Sequence, residues 1–261
     1  MNLSSNSLFH FTSRLDTLSL ILAGGFYGSF CKEVLHYKKE AFTLIVLMIS
    51  FCDIPLKTIS LHTKYGKYGI GLNKDWGIEH QLNPVLYLEK NSALADSLIR
   101  SLYTSRSITA IINPQLKQIR NKIGEITNNK NYNPVQKNTK LEELQDELRQ
   151  YDDLANNMRH IIHSIFYTKH YSDALERNGE IINDHRFYDE REWRFLPEFQ
   201  SLISSLHISE RQYKEWRGDI RKPKPILTNV NLPFRLTDIE YIIVEKKDEI
   251  KVIRDIIPIR L

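Results

Sequence analysis

The residue types best suited to chemistry in this chain lie close together in Phe187-Tyr188-Asp189-Glu190-Arg191-Glu192-Trp193-Arg194-Phe195-Leu196-Pro197. Read as an extended segment, side chains alternate between faces, so Glu190, Glu192 and Arg194 share one face with Tyr188. Phe187, Trp193 and Phe195 take the opposite face together with Asp189 and Arg191. Same-face neighbours are roughly 6.5–7 Å apart, which lets one ligand sugar reach both glutamates with Arg194 next in line. A pair of carboxylates so placed suits stabilisation of positive charge developing on a sugar carbon. A strand bearing a ladder of ion pairs fits the same residues, because charge clusters are often structural.

A second candidate is His10 in Ser7-Leu8-Phe9-His10-Phe11-Thr12-Ser13, a short strand with Leu8, His10 and Thr12 on one face. Asp16 or Thr17 is placed to cap a helix through Leu15, Leu18, Ile21 and Leu22 that stops at Gly24-Gly25. A third is His62-Thr-Lys-Tyr-Gly-Lys-Tyr-Gly-Ile-Gly-Leu72. Its glycines allow a close approach of backbone to a ligand, and Tyr65 and Tyr68 offer stacking faces. The spacing is not the dinucleotide fingerprint, and a glycine-rich turn into a strand fits equally. His160 and His163 stand three apart without an acidic third ligand at helical spacing, so no metal site is expected. Cys31 and Cys52 lack CxxC spacing and read as buried free thiols of a reducing compartment.

The elements that must position these groups come in three blocks. Residues 1–92 read as an N-terminal α+β half. It includes a buried strand in the apolar run Ala41–Phe51, which is too short to span a membrane. Residues 93–180 read as a helical insertion. Within it, Leu141, Leu144, Leu148, Tyr151, Ala155, Met158, Ile162 and Ile165 form a heptad seam behind a Thr139/Glu142 capping box. Asn128–Asn138 reads as the loop before it. Residues 181–261 read as C-terminal strands completing the core, among them 238–244 and 250–259. A helix over 199–216, with Ser209 capping its second part, and a basic loop over 217–224 lie between. That loop leaves nucleic-acid contact open. The 261 residues include 41% apolar and 26% charged side chains and carry a net charge of +4. These values describe an ordinary soluble domain and not a dedicated DNA binder. The first residues lack the basic start and apolar core of a signal peptide, so a cytoplasmic location is expected.

Several stretches together resemble the AbiGi component of the abortive-infection AbiG phage-resistance family. They are His10-Phe-Thr, the Leu-x-x-Ile-Leu-x-x-Gly helix, Phe51-Cys-Asp-Ile-Pro-Leu, His62-x-x-Tyr-Gly-Lys-Tyr-Gly-Ile-Gly-Leu, Asn83-Pro-Val-Leu-Tyr and Glu190-Arg-Glu-Trp-Arg. They cover both ends of the chain and leave the helical block unmatched. The resemblance implies a protein of bacterial phage defence whose operon partner resembles a nucleotidyltransferase-type toxin. It acts there either as a defence effector or as an antitoxin-like protein that binds a cognate toxin, the helical block offering the contact.

A more distant similarity is to the ADP-ribosyltransferase fold. It implies two small sheets around a cleft, with the helical block as an insertion, and NAD as the substrate to be split. On that similarity His10 meets a ribose hydroxyl, and Thr12 lies on the strand that holds the nicotinamide amide. Tyr65 or Tyr68 stacks on nicotinamide, Glu192 is the catalytic glutamate and Glu190 orients a macromolecular ADP-ribose acceptor. Arg194 keeps Glu192 ionised. The Ser-Thr-Ser triplet of those enzymes is missing. The similarity therefore requires His10 and Glu192 to face one NAD across one open cleft.

Overall fold

In the computed structural model, residues 5–37, 40–129, 131–177, 180–197, 213, 215 and 230–257 are described. The expected helix over 199–216, Ser209 and the basic loop 217–224 fall outside them, apart from residues 213 and 215. Two compact units divide the chain: residues 1–90 with 167–261, and 91–166.

The first unit is built on a sheet that, among the described residues, has the strand order β13-β5-β1-β4-β11-β6, with β3 also paired to β4. Its strands are β1 (Ser7–Thr12), β3 (Ser29–Tyr37), β4 (Glu40–Cys52), β5 (Tyr68–Asn73), β6 (Asn83–Pro84), β11 (Glu192–Phe195) and β13 (Ile239–Ile243). The apolar run forms β4 because it is covered on both faces: Leu44 through Ile49 are all at most 3% exposed. Residues Glu40–Met48 pair with β3, while the last four residues lie between β1 and β11. One extended sheet therefore stands where two small sheets around a cleft were expected. β2 (Phe26–Tyr27) with β12 (Asn231–Leu232), and β9 (Asp173–Arg177) with β10 (Glu180–His185), make antiparallel ribbons. β7 (Leu86–Leu88) and β8 (Thr168–His170) pair in parallel.

Against one face of the sheet pack α1 (Leu15–Gly24), α2 (Lys74–Glu79) and α5 (Glu249–Ile256). Their Leu18, Ile21, Trp76 and Ile253 join Leu8, Phe26, Phe51, Ile70 and Leu72 in the core. Arg14, and neither Asp16 nor Thr17, occupies the N-cap of α1, and it makes no capping bond through its side chain. Residues 249–256 are helix and not strand. Ile250, Ile253 and Ile257 recur at three and four, and that helical period overrides the strand propensity of the individual isoleucines.

The glycines of β5 make room for the phenylalanines of β1. Gly69 and Gly71 stand opposite Phe11 and Phe9, and a Cβ on Gly71 would lie 2.6 Å from the Phe9 ring. Gly66, at φ 149°, turns the chain into β5 where any side chain would collide with the Thr12 carbonyl.

The second unit is a pair of helices, α3 (Ala93–Asn128) and α4 (Pro134–Ile165). Ser92 caps α3 by accepting from the Ala95 N–H at 3.1 Å. Asn133 caps α4 by accepting from Val135 N–H at 2.9 Å, with Pro134 at the position where its missing N–H costs nothing. The helix thus starts before the Thr139/Glu142 pair, and the connecting loop is shorter than 128–138. The heptad seam faces α3: Leu148, Tyr151 and Ala155 pack on Ile108, Ile112 and Leu116. After Phe166 the chain re-enters the first unit, so Thr168–His170 and Asp173–Arg177 are strands and not the end of the helical block.

Candidate functional site

Only Glu192–Phe195, four of the eleven residues of the segment 187–197, are strand. Phe187–Glu190 is a one-turn 3-10 helix closed by Arg191 in the left-handed region at φ 45°. The two-residue alternation holds only from Glu192 onward. There Glu192 and Arg194 are buried on one face, while Trp193 and Phe195 pack toward the apolar core. Glu190 is off the strand yet returns beside Glu192, because a single lysine bridges them.

That lysine is Lys169 on β8. Its Nζ donates to Glu192 Oε2 at 2.7 Å and to Glu190 Oε2 at 3.3 Å, and sits 4.6 Å from the centre of the Phe187 ring. Arg194 is fully buried. It donates through Nε to Glu192 Oε1 at 2.6 Å, through Nη2 to Glu33 of β3 at 2.9 Å, and through Nη1 to the Thr168 carbonyl at 3.3 Å. Ser50 Oγ donates to Glu192 Oε1 at 2.8 Å, and the Glu192 N–H donates to the Tyr87 hydroxyl at 2.7 Å. Glu190 is bonded to His185 Nε2 at 2.7 Å and to the Tyr65 hydroxyl. Both oxygens of each glutamate are engaged, and the two residues are 3% and 5% exposed.

The electrostatics follow from this closure. Burial alone would raise the Glu192 carboxyl, but the charges of Arg194 and Lys169 and their hydrogen bonds hold it well below the usual carboxylate range. Burial acts to lower Arg194 and Lys169, and Glu192 and Glu33 more than offset it, so both stay above their ordinary values. Removing one member of such a set leaves an uncompensated charge in a low-dielectric site.

His10 is elsewhere. Phe9 pairs with Cys52 and Glu192 also pairs with Cys52, so Phe9 and Glu192 share a face and His10 points to the other. There the His10 ring packs on Phe26 and Phe51, and Nδ1–H donates to the Ser50 carbonyl at 2.9 Å. Burial lowers its pKa, only partly offset by that bond, and keeps the imidazole neutral. Thr12 and Tyr68 are register partners on the same face as His10, and the Tyr68 hydroxyl donates to Glu249 at 2.8 Å. The structure therefore brings together Glu190, Glu192, Arg194 and Tyr65, and leaves His10, Thr12 and Tyr68 across the sheet. Sequence reasoning missed Lys169, Glu33, Ser50, Tyr87 and His185. They come from five separate segments, and no spacing links them to Glu192. Among the described residues no group of three or more His, Cys, Asp or Glu side chains is placed to hold a metal. No described helix is long and apolar enough to cross a membrane.

The depressed pKa values set the acid response. His10 starts from an ordinary value of 6.5 and Glu192 from 4.5, and both are lower in the folded chain. The unfolded chain then binds more protons, so stability falls with falling pH. Thermal melts are expected to lose stability first as pH drops below about 6.5, and again below about 4.5 as the network titrates. A melting temperature independent of pH from 7 down to 4 would contradict this.

The fold and site define an α+β protein with antiparallel sheets and a buried ion network at the point where the chain returns from its helical unit. Residues 26–245 match the family model described as "abortive phage resistance protein AbiGi, antitoxin". The chain belongs to the AbiGi family of abortive phage resistance proteins. It is similar to the abortive phage resistance protein AbiGi of Lactococcus lactis subsp. cremoris, at 29% identity over 229 residues, covering 82% of this chain and 78% of that one. No solved structure matches it significantly. Neither match points to an ADP-ribosyltransferase.

Proposed function

We propose that this phage-resistance protein works in the cytoplasm as the antitoxin of a toxin–antitoxin pair, by binding its cognate toxin and not by turning over NAD. The observation that carries the reading is the closure of the glutamate network. A carboxylate that steadies a sugar cation must face that sugar, whereas Glu192 spends both oxygens on Arg194, Lys169 and Ser50. His10, the expected ribose contact, lies on the opposite sheet face. The family's description as an antitoxin supports the same conclusion.

The helical unit is the surface offered to the toxin. Its helices run 36 and 32 residues, and they expose Glu142, Asp146 and Asp153 along the outer side of α4. The test is co-purification of the cognate toxin with tagged protein, alongside incubation with labelled NAD and cell extract. Retention of the toxin with no label transfer is expected. Label transfer by wild type that disappears in Glu192→Gln would overturn the proposal.

A further inference from the structure

Besides the seam between α3 and α4, one broad side of the helical unit carries apolar side chains with nothing of their own unit upon them. Ile111 is 67% exposed, Leu154 40% and Ile161 36%. At about 100° per residue, Arg100, Thr104, Ile108, Ile111 and Lys122 of α3 lie on one flank of the seam. Met158, Ile161, Leu154, Glu147 and Glu143 lie on the matching flank of α4. A groove lined by Arg100, Thr104, Ile108, Met158 and Ile161 opens on this side. The opposite side is the one spanned by the Arg120–Asp152 ion pair at 2.9 Å.

This side is complementary to itself. The packing of Ile112 and Leu116 on Ala155 fixes the alignment of the two antiparallel helices. Ile111 then stands at the height of Leu154 and Met158, and Lys122 at the height of Glu143 and Glu147. A two-fold axis along the hairpin lays α3 of one copy over α4 of the other. Each Ile111 meets the other copy's Leu154 and Met158, and each Lys122 meets Glu143 and Glu147. Lys122, Glu143 and Glu147 are exposed, so their charges are available for it. From Arg100 to Lys122 the side is about 33 Å long. At two helices wide it offers on the order of 700 Å² per copy, close to the ~800 Å² per partner of a stable interface.

We propose that this side of the helical unit takes a second copy of the chain, forming a four-helix bundle that leaves the acidic outer side of α4 open. Sedimentation equilibrium of the full chain at micromolar concentration tests it, with the toxin co-purification run in parallel. Wild type should sediment at twice 30.7 kDa. Ile111→Glu, at an exposed position, should raise the dimer dissociation constant at least ~10-fold and leave toxin binding intact. Lys122→Glu should weaken the dimer, and adding Glu143→Lys with Glu147→Lys should restore it. A monomer throughout, or a dimer indifferent to Ile111→Glu and to the charge swap, overturns the proposal. Loss of toxin binding by Ile111→Glu in a monomeric protein would assign this side to the toxin and overturn it too.

Discussion

Arg194→Met is expected to lower the melting temperature by roughly 10 °C, from a loss of about 3–5 kcal/mol. Methionine keeps an unbranched apolar stem but loses the guanidinium and its charge. Glu192 is then left to Lys169, and Glu33 loses the guanidinium that it accepts from at 2.9 Å. Two carboxylates in the same buried neighbourhood must find one cation or take up protons. The stabilising effect of the network is therefore mostly the cost of breaking it, since exchanging a whole buried ion set for apolar residues is often neutral. What the network contributes is placement. It joins β3, β4, β8, β11 and the 3-10 turn at Glu190 within the first unit. Fluorescence of Trp76 and Trp193, both in the sheet core, should report the shifted melt. An unchanged melt would show that the carboxylates reach water and are not held as described.

Leu148→Asp should collapse the helical unit while sparing the sheet. Leu148 packs with Tyr151 and Ala155 against Ile108, Ile112 and Leu116. Replacing it loses apolar contact and presses a carboxylate against that seam, a cost of roughly 2–4 kcal/mol. Two helices that depend on one seam have little margin for such a loss. Helical circular dichroism should drop strongly, while the tryptophan-monitored melt of the sheet unit stays near wild type. Toxin binding should go with the helices. Unchanged helical content would mean that Leu148 is not part of what holds them together.

The local periods in the sequence carry much of this fold. The run Ala41–Phe51 names the central strand, and the three-four spacing from Leu141 to Ile165 names α4 and the face it buries. What the periods do not carry is the partner of each face. The same seam suits an intermolecular coiled coil, and only the antiparallel α3 shows that it is internal. Glu190-x-Glu192 promised two carboxylates on one strand face. The left-handed Arg191 breaks that strand, and Lys169, some twenty residues upstream, restores the pairing by another route. His10 was legible as a strand histidine, but its face depends on the register of β1 against β4, which no local pattern encodes. The strand expected from residue 250 onward failed for the opposite reason: its isoleucines suit a strand one by one, but Ile250, Ile253 and Ile257 recur at helical spacing, and Ile253 and Ile257 pack on the core as helix.

On the proposed function, binding of the toxin and not NAD chemistry at Glu192 carries phage defence. Growth of cells expressing the cognate toxin tests it most directly, with wild type, Glu192→Gln and Leu148→Asp supplied in turn and the soluble level of each measured. Rescue is expected from wild type, and from Glu192→Gln in proportion to its soluble folded protein, and none from Leu148→Asp. Folded, soluble Glu192→Gln that fails to rescue, beside Leu148→Asp that succeeds, would contradict it.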